Sequence, residues 1–64
     1  MIANKVKERR EDLGMTQEEL SEISGVSRTM ISKLETNQKV DCKVSTLIAL
    51  SKALGKPVSE IFLQ

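Results

Sequence analysis

Thr16-Gln17-Glu18-Glu19-Leu20-Ser21-Glu22-Ile23-Ser24-Gly25-Val26-Ser27-Arg28-Thr29-Met30-Ile31-Ser32-Lys33-Leu34-Glu35 is the stretch from which the fold can be read, and it occupies 20 of the 64 residues. It predicts two short helices joined by a tight turn. Thr16 and Glu19, three residues apart, have the spacing of a capping box, so the first helix should begin at Gln17. Gly25 stands where the chain must reverse, because a residue without Cβ adopts positive φ without steric cost. Ser27 then caps a second helix running to Glu35 or Thr36, with Val26 as the apolar residue before the cap. Leu20, Ile23, Val26, Ile31 and Leu34 recur at helical spacing and are expected to face inward. Ser27, Arg28, Thr29, Ser32 and Lys33 are expected to face outward, and Met30 to pack part-buried. Ser21, being small, is expected where the two helices cross.

Outward from this stretch, the punctuation predicts three more helices and no strand. The first should run from Ile2 or Ala3 to Leu13, with Ile2, Val6, Arg10 and Leu13 on one face, Lys5, Lys7 and Arg9 on the polar face, and Gly14 as its stop. Asn37 suits a left-handed stop, and Gln38 to Lys43 should form a loop carrying Lys39 and Lys43. A fourth helix is expected from Val44 to Leu54, with Leu47, Ile48, Leu50 and Leu54 apolar and Gly55 ending it. Pro57 suits the first turn of a fifth, whose apolar side is Val58, Ile61 and Phe62. Residues 1–64 therefore read as one all-α domain, near the lower size limit for a core without disulfide or metal.

Charge is uneven although the net value is only +1. Residues 1–10 carry +3, 11–26 carry −5, 27–43 carry +2 and 44–64 carry +1. Positive charge gathers on the first helix and around the third, and Glu18, Glu19 and Glu22 read as a solvated face near a helix start, where carboxylates are favourable. The chain has no histidine and one cysteine, Cys42, read as a small part-buried residue. Metal clusters and the usual nucleophile and base pairs therefore lack their parts, and no cofactor and no enzymatic activity are expected. No apolar run approaches the roughly 18 to 20 residues of a membrane span, and the expected location is the cytoplasm.

Arg10, Gly14-Met15-Thr16-Gln17-Glu18-Glu19-Leu20, Gly25-Val26-Ser27, Ile31-Ser32-Lys33-Leu34-Glu35, Thr46-Leu47 and Ala53-Leu54-Gly55 together resemble the Cro/repressor type of helix-turn-helix protein, the xenobiotic-response-element family that includes the lambdoid phage repressors. The resemblance spans nearly the whole chain. It departs in the loop after Glu35, which is about a residue longer, has Asn37 where glycine is frequent and lacks a proline before the fourth helix. Ser21 also stands where alanine is often seen.

The resemblance implies a compact five-helix lambda-repressor-like domain that binds a double-stranded DNA operator, as a homodimer, and regulates transcription. It implies base contacts from Ser27, Arg28, Thr29, Ser32 and Lys33, whose short polar and basic side chains suit the edges of base pairs. Phosphate contacts are expected from Thr16, Gln17, Asn37, Lys39 and Lys43, and a structural pair from Arg10 and Glu35. Val58, Phe62 and Leu63 are expected at a dimer interface, since the apolar residues of the C-terminal end exceed what the core of so small a domain should need. An antitoxin, binding a toxin protein as well as DNA, is the alternative in another class; a copurifying partner would separate the two.

Overall fold

The computed structural model describes residues 4–36, 38 and 42–62. Among them are five helices and no strand: α1 Val6–Asp12, α2 Gln17–Ser24, α3 Arg28–Glu35, α4 Val44–Leu54 and α5 Val58–Ile61. The helices enclose one core of Val6, Leu20, Val26, Ile31, Leu34, Leu50, Leu54, Ile61 and Phe62. Each such aliphatic side chain, fully buried, contributes about 1.5 to 3 kcal/mol of transfer free energy, the driving force for a domain this small. α2 packs on α3 and α4, α1 lies across α3 and α4, and α5 closes against α4.

The capping signals act locally and set the two central helices. Thr16 Oγ1 accepts from Glu19 N at 3.0 Å while Thr16 N donates to Glu19 Oε1 at 2.9 Å, so both halves of the capping box form. Gly25 takes φ 75° at the end of α2, and Ser27 Oγ accepts from Met30 N at 3.1 Å to start α3. Ser21 donates its hydroxyl to Val26 O at 2.6 Å, fixing the turn between them.

Four expectations need correcting. α1 begins at Val6, not at Ile2 or Ala3, because Asn4 Oδ1 accepts from Val6 N at 3.1 Å and Lys5 N donates to Ile61 O at 2.8 Å, which pulls this segment toward α5. Ile23 is 62% exposed: the inner face of α2 is Gln17, Leu20, Ser21 and Ser24, at i, i+3, i+4 and i+7, and Ile23 falls off that stripe. On α4 the inner stripe is Leu47, Leu50, Ser51 and Leu54, so Ile48 is 42% exposed while Ser51, a serine, is buried. Leu13, past the last residue of α1, is also exposed. A smaller difference is that Pro57 caps α5 from outside instead of occupying its first turn.

Candidate nucleic-acid interface

Ser27, the cap of α3, and Arg28, Thr29 and Lys33 on it are exposed to solvent, with Ser32 half-buried beside them. They are outward because Ile31 and Leu34 are buried, 0% and 2% exposed, and fix the rotation of the helix. Gln17, Arg28, Thr29, Ser32, Lys33 and Gln38 line one shallow open surface, with no acidic side chain in that lining among the described residues. A helix about 10 to 12 Å across matches the major groove of B-DNA, about 12 Å wide, and short polar side chains on its outer face reach base edges there. Glu18, Glu19 and Glu22 are exposed on α2, away from its inner stripe.

Beneath this surface lies an ion pair between the first and third helices. Arg10 Nε donates to Glu35 Oε2 at 2.7 Å and Arg10 Nη2 to Glu35 Oε1 at 3.0 Å, a bidentate fork, with the two side chains 11% and 3% exposed. Arg10 Nη1 also donates to Met15 O at 2.6 Å. Gln17 Nε2 donates to Glu35 Oε1 at 3.0 Å. Burial acts to raise the Glu35 carboxyl, but the hydrogen bonds from Arg10 and Gln17 and the positive charges of Arg10 and Lys7 outweigh it and hold it below its ordinary value. The hydrogen bonds that Arg10 donates to Glu35, against a smaller opposing effect of burial, raise the Arg10 guanidinium further above its already high value.

The end of α3 is closed by two side chains and one backbone amide. Asn4 Nδ2 donates to Leu34 O at 2.9 Å, Thr36 Oγ1 to Ser32 O at 2.9 Å, and Gln38 N to Lys33 O at 2.9 Å. Asn4 and Gln38 escaped the sequence reading. Asn4 meets its partner 30 residues away, and the Gln38 bond is made by its backbone, a helix C-terminal closure that its side chain does not announce. Arg9, expected on the polar face, instead donates from Nε to Leu54 O at 2.9 Å, closing the end of α4.

Of the expected phosphate-contacting residues, Gln17 borders the reading surface, Thr16 is exposed with its oxygen engaged in the capping box, and Lys43 is exposed at the start of α4. Asn37 and Lys39 lie outside the described residues, as does Leu63. Phe62, expected at a dimer interface, is 5% exposed and belongs to the core, because α5 is a single turn whose C-terminal end tucks beneath α4. Val58 is half-buried and packs against the core. Cys42 is half-buried, and burial pushes its thiol up, away from the reactive thiolate. No helix among the described residues is long and apolar enough to cross a membrane.

Comparison with known proteins places this geometry. A family profile described as helix-turn-helix matches residues 6–61. The chain is similar to control protein C.SmaI of Serratia marcescens, 38% identical over 61 residues that cover 95% of this chain and 71% of the relative.

Proposed function

The chain belongs to the Cro/repressor-type helix-turn-helix family of DNA-binding transcriptional regulators, and on that premise we propose that it recognises a specific operator through α3 and represses transcription, in the cytoplasm, by occupying it. The observation that carries this reading is the open polar and basic surface where Arg28, Thr29, Ser32 and Lys33 of α3 stand beside Gln17 of α2. Arg28, at the N-terminal end of α3, is the residue assigned to a guanine, since that end of a recognition helix is the one that reaches base edges. Gln17 and Lys43 are assigned to phosphates, which position the protein without specifying sequence.

An eight-residue helix reads only a few base pairs. A two-fold dimer sets two such helices about 34 Å apart on one side of the duplex and doubles the site read, so the operator should be an inverted repeat with half-site centres one helical turn apart. With Phe62 committed to the core, Val58 and Leu63 are the anchors assigned to the dimer contact. Selection of bound sequences from a random duplex pool tests the operator, and sedimentation of the wild type and Leu63→Glu with the selected duplex tests the dimer. A palindromic consensus bound by two chains supports the reading. A wild type that binds as one chain per operator removes the dimer, and a pool with no enriched sequence removes specific recognition.

A further inference from the structure

We propose that Glu35 is a positioning residue for DNA-phosphate binding: its carboxylate, locked in place by Arg10, holds the Gln17 carboxamide so that the remaining amide hydrogen is presented to a backbone phosphate at the start of α2. This rests on the DNA-binding reading above and adds a residue that does not itself touch DNA. Glu35 Oε1 accepts from both Arg10 Nη2 and Gln17 Nε2, each at 3.0 Å, and Oε2 accepts from Arg10 Nε at 2.7 Å. A carboxylate only accepts, so the nitrogen end of the Gln17 amide must face Glu35. That nitrogen carries two hydrogens. One is taken by Glu35, and the other is left on a half-buried side chain that borders the open surface containing Arg28 and Lys33.

Three features make this a positioning device and not merely a packing contact. Arg10 is fixed by three separate hydrogen bonds, the third to Met15 O, the carbonyl directly before the Thr16 cap of α2, so the anchor and the helix start move as one body. The guanidinium neutralises Glu35, which keeps a carboxylate near the reading surface from repelling the duplex. A free glutamine side chain has several rotatable bonds to order on binding; one already held loses less entropy when the phosphate arrives. Gln17 and Glu35 belong to different helices 18 residues apart, so the same link also registers the first turn of α2 against the last residue of α3.

The test is a double-mutant cycle on the full chain, using the selected operator and a random duplex in a fluorescence anisotropy titration. Gln17→Ala should weaken both duplexes by roughly tenfold, as loss of a hydrogen bond to a charged group does. Because Glu35→Ala is expected to melt the domain, the anchor is removed by the paired change Arg10→Met with Glu35→Leu, which trades a buried ion pair for apolar volume and tends to preserve folding. In that background the roughly tenfold loss should already be present, and adding Gln17→Ala should change nothing more. As a readout independent of DNA, nitrogen-15 relaxation of the Gln17 side-chain amide should report a rigid group in the wild type and a mobile one in the paired variant.

An additive cycle, in which Gln17→Ala still costs its full factor in the paired background, overturns the proposal while leaving DNA binding intact. So does a mobile Gln17 amide in the wild type. A wild type that binds neither duplex overturns the DNA reading, and the rigid amide then shows the Glu35 link to be structural alone.

Discussion

In the half of the molecule formed by α2 and α3, nearly every helix end and crossing has a directional bond: the capping box at Thr16, Ser27 at the start of α3, Ser21 on Val26 O, and the Arg10, Glu35 and Gln17 network. In the half formed by α4 and α5 no side chain caps either helix start. That half is held by burial of Leu50, Leu54, Ile61 and Phe62, with Arg9 on Leu54 O as its bond from α1. Burial is non-directional and tolerates rotation, whereas hydrogen bonds fix orientation. The half that must present Arg28 and Lys33 in one register is the half built from oriented bonds.

The sharpest way to break this contrast is at Glu35. Removing it leaves Arg10 buried without its partner, which costs about 3 to 5 kcal/mol, against about 0 to 1 kcal/mol for an exposed pair. Glu35→Ala should therefore lower the melting temperature steeply, and a melt indistinguishable from wild type would show that the bonds of this half carry no stability. Leu50→Ala in the other half, at a position 0% exposed, should cost about 2 to 5 kcal/mol. It should do so while leaving sequence preference unchanged in the folded fraction; a relaxed preference would mean that the halves are not separable.

Acid sharpens the same comparison. The Glu35 carboxyl is held below its ordinary value in the folded protein, so its contribution is fully present above the unfolded value, about 4.3, and is lost as pH falls through the folded value. Chemical denaturation should show wild-type stability falling below about pH 4.5. The paired Arg10→Met with Glu35→Leu variant should lose less over that range; equal acid loss in both would place the effect in other carboxylates. Arg28→Ala, at an exposed position, should leave the melt within about 0.5 kcal/mol of wild type and remove about 1 to 3 kcal/mol of discrimination at one base pair per half-site. Competition binding against single-base operator variants measures it, and full retained preference would move guanine recognition elsewhere.

The smallest effect expected is a gain. Ser51 is 4% exposed and its hydroxyl has no hydrogen-bond partner among the described residues, which is a cost in the burial-held half where an apolar residue would serve. Ser51→Ala should raise stability by about 1 kcal/mol in a denaturant titration. A loss there would mean that the hydroxyl fills space the methyl cannot.

Much of the fold was legible because its signals are local. The capping box, Gly25 and Gly55 at positive φ, and the Ser27 cap all act within four residues of their partners, so both ends of α2, the start of α3 and the end of α4 follow from spacing. Outward-facing Arg28, Thr29 and Lys33 follow from the same periodicity. Ile23 and Ile48 were misjudged because hydrophobic spacing does not reveal where a helix touches its neighbours, and an eight-residue helix leaves the direction of its inner face poorly determined. Start and length of α1 were misjudged because Asn4 and Lys5 bond to Val6 and Ile61, and only the second of those ties depends on a distant element.

The sequence by itself determined five helical segments, the caps and turn of α2 and α3, and which side of α3 is polar, since each depends on interactions over one or two helical turns. Only the tertiary structure decided that Ser51 and not Ile48 enters the core, that Arg9 closes α4 across 45 residues, that Phe62 is committed to the interior, and that Gln17 leans on Glu35. Those outcomes depend on how helices cross, and crossing geometry is set by the joint packing of all the side chains at once.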